Sequence, residues 1–185
     1  MGVLGKLLKN RRAGQDGLAW NAPNLAGPDT LTLRSPDFAH EASIPTAHTS
    51  KRIGGKDLSP ALSWSPAPAD TVRLLLVVED PDVPISTPAV HCMALLDPSM
   101  TALEQGALDA KNPSDGVRIL RSTISRGYQG PAPIKGHGPH RYVFQLFALG
   151  TPIDGDVLDA KPRTLLAAAR NVLARGRLDG FYERA

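Results

Sequence analysis

The sequence predicts a mainly β protein, an antiparallel sandwich rather than a parallel sheet with alternating helices. Short apolar segments with strand-like patterning are scattered along the chain between turn residues, and one segment near the C-terminus has a helical pattern. The 17 glycines and 17 prolines among 185 residues favour a turn-rich β architecture. We assign residues 1–29 to a basic N-terminal arm and linker, and residues 30–185 to a single domain.

The first twelve residues predict a short basic amphipathic helix. Leu4, Leu7 and Leu8 share one face, and lysines and arginines surround them. A membrane-surface anchor is one interpretation; a docked or frayed arm is the other, and is favoured because the segment has only about three turns and no aromatic residue. Residues 14–28 have a linker-like composition.

Four segments predict strands before residue 97. Residues 30–33 alternate between threonine and leucine, and residues 59–64 place Leu62 and Trp64 on one side of a short strand. Residues 72–79 form the most hydrophobic stretch and predict a strand buried on both faces, and residues 90–96 follow as the next strand. Residues 35–55 are irregular.

The second half of the domain contains one strong strand and one helix. Residues 127–133 predict a rigid loop before the strand at 141–149, in which His140, Tyr142, Phe144 and Leu146 share a face. The predicted helix begins at Pro162, and a last strand covers residues 178–182. The helix has an apolar stripe and a C-terminal cap, formed by Leu165, Ala169, Val172, Leu173 and Gly176.

Charge and cysteine content exclude several classes of function. The formal charge is +3, but Lys6, Lys9, Arg11 and Arg12 precede the first acid, so the rest of the chain is close to neutral and offers no nucleic-acid surface. The single cysteine, Cys92, cannot form an internal disulfide, which fits a reducing compartment. The sequence has no apolar run of bilayer-spanning length and no secretory-signal pattern, so we expect a cytoplasmic protein.

Polar residues that could form a site fall at the ends of the strong strands. Asp80 and Asp82 end the buried strand, with Pro81 and Pro84 stiffening the turn. His91 lies on the next strand, and the remaining candidates are Tyr128, His140 and Tyr142. A solvated turn is the alternative for the acids and a hydrogen-bonded core histidine for His91. For His140 the alternative is a strand-entry residue bonded to backbone, and for Tyr142 a core side chain with a tethered hydroxyl. We expect Cys92 to be a buried filler on the face opposite His91.

Three motifs follow one another along the chain. They are Asp80-Pro81-Asp82-Val83-Pro84, then His91, then Gly138-Pro139-His140-Arg141-Tyr142-Val143-Phe144. In this order they resemble the phosphatidylethanolamine-binding protein family, in particular its bacterial, Raf-kinase-inhibitor-like branch. Supporting likeness comes from residues 58–64, 127–131 and 178–182, so the resemblance covers the chain from about residue 30 onward.

The resemblance implies a Greek-key β-sandwich with a small anion pocket at one edge. It places Asp80, His91, His140 and Tyr142 in the pocket lining, with Asp82 and Pro84 shaping the wall. From the 127–131 motif we add Tyr128 and Gly130 to the ligand-binding set. Expected ligands are phosphate, acetate or a phosphorylethanolamine head group, and no cofactor is implied. Ala89 and Val90 stand where the family commonly has an aromatic residue before the histidine, so we expect a less aromatic wall.

The physical hypothesis is that the acids charge and orient the histidines. A carboxylate beside a histidine favours the imidazolium, whose outward N–H could donate to an anion together with the Tyr142 hydroxyl. A ligand amine could pair with Asp82. We expect Arg141 to pair with an acid or a loop carbonyl.

Other functions are possible on the same residues. The family name suggests inhibition of a kinase or serine protease through the pocket rim and loops. Asp80, Asp82, His91 and His140 also have the ligand types for a metal-dependent hydrolase, although no compact metal motif is present. We find no Gly-x-Ser-x-Gly elbow and no glycine-rich phosphate loop, and therefore expect a binding protein rather than an enzyme. From the resemblance alone we expect a homodimer.

Overall fold

A computed structural model describes residues 3–184 and confirms the mainly β class. Short 3-10 turns connect many of the elements. The helices are α1 (Val3–Leu8) and α2 (Pro162–Ala168). The strands are β1 (Ala42–Ser43), β2 (Leu62–Ser63), β3 (Arg73–Asp80), β4 (Ala89–Leu96), β5 (Ala102–Leu103), β6 (Val117–Ile119), β7 (His140–Leu149) and β8 (Val172–Tyr182).

Six strands form one sheet in the order β1-β8-β7-β3-β4-β6, and β2 pairs with β5 in a second, two-stranded sheet. Neighbouring strands are antiparallel except that the two-residue β1 runs parallel to β8. The main sheet is therefore mixed, with an antiparallel body.

Apolar side chains of the large sheet pack on both of its faces. Leu74, Leu76 and Val78 of β3 belong to a core shared with Leu62 and Leu103 of the small sheet. The alternate residues Leu75 and Val77 belong to a second core, with Leu25 from the N-terminal segment and Leu165 from α2. This two-sided burial confirms the interpretation of residues 72–79 and explains why the run is continuously apolar.

The predicted helix is too long. It ends at Ala168, because Ala169 is extended (φ −70°, ψ 138°) and Asn171 has a left-handed φ of 58°. Val172, predicted to lie on the helical stripe, begins β8, which pairs with β7 as far as Tyr182. Gly176 is not a helix cap; a Cβ there would lie 2.4 Å from the carbonyl oxygen of Leu31, so glycine permits a close backbone approach.

Two N-terminal segments also differ from expectation. Residues 30–33 form no strand, although Leu31 and Leu33 are buried and the Leu31 amide donates to the Arg175 carbonyl. Residues 14–28 are not a free linker, since Leu18 and Ala19 are buried. This segment covers one face of the large sheet.

The N-terminal arm is docked on the domain. The helix predicted within residues 1–12 is present as α1 and ends at Leu8. Leu7 is 77% exposed, so this part of the predicted apolar face does not pack; Met1, Gly2 and the side chain of Leu4 lie outside the described part of the chain. Within residues 3–184, no helix is both long and apolar enough to cross a membrane.

Candidate functional site

A pocket of about 360 Å³ lies at the edge of the large sheet where β3 ends and β4 and β7 begin. Most of the residues proposed from the sequence contribute to its wall. They are Asp80, Pro84, His91, Gly130, His140 and Tyr142.

Asp80 is a buried carboxylate whose two oxygens are both engaged. Its side chain is 2% exposed, which rules out the solvated-turn alternative for this residue. One oxygen accepts a hydrogen bond from the amide of Asp82 at 2.7 Å, and the other lies 2.7 Å from Nδ1 of His140. Asp80 therefore fixes the turn after β3 and the orientation of His140.

His91 presents one ring nitrogen to the pocket. Its Nδ1 lies 2.8 Å from the carbonyl oxygen of Gln129, and because a carbonyl can only accept, Nδ1 carries the hydrogen. Nε2 is left open to the pocket. It accepts a hydrogen bond when the ring is neutral and donates one when the ring is protonated.

A β-bulge in β4 aims His91. Val78 of β3 is opposite Cys92 and Glu79 is opposite Val90, so His91 is the extra residue. Cys92 lies in the same core as Tyr142, whose ring His91 meets edge-on at 5.2 Å. The expectation that Cys92 and His91 lie on opposite faces is therefore wrong, because the bulge interrupts the two-residue alternation.

Tyr142 carries a buried hydroxyl that makes no hydrogen bond of normal geometry among the described residues, although the Asp80 carboxylate and the Ala132 amide lie near it. The side chain is 1% exposed and contributes to the pocket wall. Burial, reinforced by the negative charge of Asp80, holds the pKa of Tyr142 well above its ordinary value. The hydroxyl is therefore a neutral donor at physiological pH, and its unmet hydrogen bond costs free energy unless a ligand or water supplies an acceptor.

Asp82 and Tyr128 lie outside the pocket wall. The Asp82 carboxylate is bonded to a guanidinium nitrogen of Arg12 at 2.6 Å and to the amide of Arg141 at 2.7 Å, so each of its oxygens already has a partner. The hydroxyl of Tyr128 donates to the carbonyl oxygen of His48 at 3.2 Å. Both residues support the site through neighbouring backbone.

Gly130 belongs to the pocket wall for a steric reason. A Cβ at this position would lie 2.4 Å from the carbonyl oxygen of His48. Its amide donates to the Asp57 carboxylate at 2.9 Å, which fixes the loop. The loop beside His91 therefore depends on glycine here.

Several wall residues were missed by the sequence analysis. Ser50 and Arg52 come from the irregular stretch before β2, where the Ser50 hydroxyl accepts from the Arg52 amide at 3.3 Å. Ile85 and Ile124 line the same pocket with side chains that are each 54% exposed. The sequence signal that could have identified them is the presence of a large apolar residue in a turn segment. Ala89 also lines the pocket, in keeping with the expected loss of an aromatic residue before His91.

His137 is a further residue that the sequence analysis missed. It is fully buried, and its Nδ1 lies 2.7 Å from Nε2 of His140. Arg141, as expected, pairs with acids: its guanidinium contacts Asp179 and Glu41. In residues 3–184, no three histidine, cysteine or acidic side chains come together in a group that could hold a metal ion.

Comparisons with known proteins agree with this architecture. A family model described as phosphatidylethanolamine-binding protein matches residues 34–183. The UPF0098 protein of Methanothermobacter thermautotrophicus is 33% identical over 155 residues, which cover 83% of this chain and 99% of that protein. A fungal phomoidride biosynthesis cluster protein B is 32% identical over 169 residues, covering 86% and 80%.

Among solved structures, YbcL from E. coli, described as a new member of the mammalian PEBP family, superposes with a TM-score of 0.72. It is 26% identical, and the match covers 84% of this chain and 99% of YbcL. The match of the family model over most of the sequence, the identity to full-length relatives and the shared fold lead to one conclusion. The chain belongs to the phosphatidylethanolamine-binding protein family.

Proposed function

We propose that the chain binds a small phosphate-type anion, such as inorganic phosphate or the phosphate of a phosphorylethanolamine head group, in the pocket at Asp80, His91 and Tyr142. The observation that carries this proposal is the buried Tyr142 hydroxyl, which has no partner among the described residues and belongs to the pocket wall. A phosphate oxygen would supply the missing acceptor.

Charge in the pocket supports an anionic ligand. Both oxygens of Asp80 already accept hydrogen bonds, from the Asp82 amide and from His140, which reduces the repulsion that an anion would meet. His91, when protonated, would add a second donor at Nε2, and Arg52 adds a permanent positive charge to the wall. The ligand would therefore meet two donors in the wall and a cation.

The volume of the pocket favours a head group rather than a whole lipid. About 360 Å³ lies near the lower limit of small-molecule sites. The exposed isoleucines Ile85 and Ile124 could contact an apolar part of a larger ligand outside the pocket. We propose a binding role, without a catalytic step.

An NMR titration tests the ligand class. Phosphate, O-phosphorylethanolamine and ethanolamine are added separately at constant ionic strength to the native protein and to His91→Ala. Both phosphates should shift the amides of Asp80, His91 and Tyr142, ethanolamine should not, and the shifts should be lost in His91→Ala. Shifts elsewhere, or equal shifts in the variant, would contradict the proposal.

A further inference from the structure

A chain of three buried side chains connects the pocket to the N-terminal arm. The Asp80 carboxylate lies 2.7 Å from Nδ1 of His140, and Nε2 of His140 lies 2.7 Å from Nδ1 of His137. Nε2 of His137 then lies 2.9 Å from the carbonyl oxygen of Leu8 and 3.2 Å from that of Arg11. All three side chains are at most 2% exposed, so water does not reach the links between them.

This hydrogen-bond chain needs a definite number of hydrogens. It has three links, and each link needs one hydrogen on a histidine nitrogen, because the carboxylate and the arm carbonyls can only accept. An ionised Asp80 and two neutral imidazoles supply two. The complete chain therefore holds one extra proton, equivalent to one imidazolium offsetting the Asp80 carboxylate. A second extra proton would place two N–H groups against each other between His137 and His140.

Loss of the extra proton must leave one of the three links without a hydrogen, and the links differ in the free-energy cost of that loss. The link from His140 to Asp80 is charge-assisted and is the strongest of the three. A break between His140 and His137 would leave two buried lone pairs facing each other with no access to water. A break at the arm is less costly, because Arg11 is exposed and its carbonyl can move into water.

We propose that His137 is a positioning residue that holds the N-terminal arm against the pocket in a proton-dependent way. With the extra proton present, His137 donates to the arm carbonyls and the arm is docked. When that proton is lost, Nε2 of His137 faces those carbonyls without a hydrogen, and docking of the arm is weakened by one hydrogen bond. The inference concerns the arm and does not depend on which anion the pocket binds.

Docking of the arm acts on the pocket wall. The amides of Ala13 and Gly14 donate to the carbonyl oxygens of Val83 and Pro81, both at 2.9 Å. Arg12 pairs with Asp82 at 2.6 Å. Release of the arm therefore removes three contacts that hold the turn from Pro81 to Pro84 in place.

Four other charged or titratable groups around this hydrogen-bond chain do not account for such a switch. Arg12 stays charged and is paired with Asp82 at 2.6 Å. Tyr142 stays neutral because its pKa is raised. His91 touches Tyr142 rather than His140 or His137, and a His91→Ala background removes its titration from the experiment.

Limited trypsin cleavage in the arm measures docking directly. Lys9, Arg11 and Arg12 are exposed cleavage sites, and rates are taken relative to a disordered peptide of the same sequence at each pH. From pH 6 to pH 8.5 the relative rate for the native protein should rise about tenfold, the effect of losing one hydrogen bond. A rate independent of pH would overturn the proposal.

Three variants separate this switch from general loosening. His137→Gln can donate an amide N–H to the arm at any pH, so its relative cleavage rate should be low and independent of pH. His137→Phe cannot donate, so its relative cleavage rate should be high and independent of pH. His48→Gln, at another buried histidine bonded to a backbone carbonyl, should keep the native pH response. The proposal would be overturned if the relative cleavage rate of His137→Gln rose with pH as in the native protein, or if that of His48→Gln did not rise. Both outcomes can be read even if His137→Phe fails to fold.

Discussion

At the scale of single residues, two buried tyrosines of the same fold have opposite hydrogen-bonding states. Tyr128 donates to a carbonyl oxygen, whereas the hydroxyl of Tyr142 meets no acceptor in the described residues. A buried hydroxyl that is left unpaired lowers stability, and an acceptor on a ligand in the pocket would remove that cost. This contrast is the strongest argument for a ligand.

Cys92 gives a residue-level prediction about reactivity. Burial raises the pKa of its thiol to about 12, so the reactive thiolate is scarce at pH 8 and the sulfur is also out of reach of reagents. We expect no labelling by a disulfide reagent in the folded protein at pH 8, and complete labelling after unfolding in guanidinium. Rapid labelling of the folded protein would show that the core around His91 opens readily.

At the scale of elements, the bulge in β4 and the close approach at β8 determine the geometry of the site. The bulge turns His91 toward Tyr142. The length of β8 matters because this strand covers one edge of β7, which carries His140 and Tyr142.

Sequence patterns predicted these elements where the pattern is local and strong. The β3 run is apolar at every position because both sheet faces are covered, and that signal needs no knowledge of the partner strands. The helix prediction failed after Ala168 because Val172 and Leu173 continue a helical spacing by coincidence, while pairing with β7 over ten positions outweighs helix propensity.

The residues of the site also divide into those with a strong local sequence signal and those without one. Asp80, His91, His140 and Tyr142 stand next to strong strands, so motif and position identified them. His137 was missed because its partners include carbonyls of residues more than 120 positions away, and such backbone partners leave no sequence signal. Asp82 was expected in the pocket because the docking of Arg12 could not be read from the sequence.

Gly176 gives an element-level prediction about packing. An alanine Cβ there would lie 2.4 Å from the Leu31 carbonyl oxygen, so Gly176→Ala should lower the free energy of unfolding by about 1–3 kcal/mol. Gly155 is the matched control, because nothing lies within 4 Å of a Cβ there, and Gly155→Ala should not destabilise the protein. Urea denaturation measures both. Equal effects would mean that β8 does not pack against residue 31 as described.

At the scale of the whole molecule, an ion cluster ties the two longest strands together. Asp179 of β8 accepts from Arg177 at 2.7 Å and from Arg141 of β7. Burial alone would raise the pKa of Asp179, but hydrogen bonds and charges from these two arginines outweigh burial and leave the pKa below its ordinary value. The cluster therefore stabilises the fold when Asp179 is ionised.

The cluster predicts a pH-dependent stability. Because the pKa of Asp179 is lower in the folded state, its contribution is complete above the unfolded value of about 3.9 and is lost as the pH falls through the folded value. At pH 7, Asp179→Asn should lower the free energy of unfolding by about 2–3 kcal/mol, and the difference should shrink below about pH 4. Asp159→Asn, at an exposed pair with Arg126, should have no measurable effect. A pH-independent loss in Asp179→Asn would contradict this account.

Family membership and the fold are established for the whole molecule, whereas several expectations stay predictions. These are the homodimer, the cytoplasmic location, the boundary at residue 30, and inhibition of a kinase or protease. Light scattering distinguishes a monomer of 19.7 kDa from a dimer. Anion binding in the pocket does not depend on any of them.

The most direct test of anion binding compares Tyr142→Phe with Tyr128→Phe at pH 6. Phosphate affinity is measured by NMR titration and stability by urea denaturation. Tyr142→Phe should weaken phosphate binding about tenfold without loss of stability, because its hydroxyl makes no hydrogen bond of normal geometry within residues 3–184. Tyr128→Phe should leave binding unchanged and lower stability by about 1 kcal/mol, since it loses a hydrogen bond to the His48 carbonyl. Unchanged phosphate affinity in Tyr142→Phe would contradict the central claim.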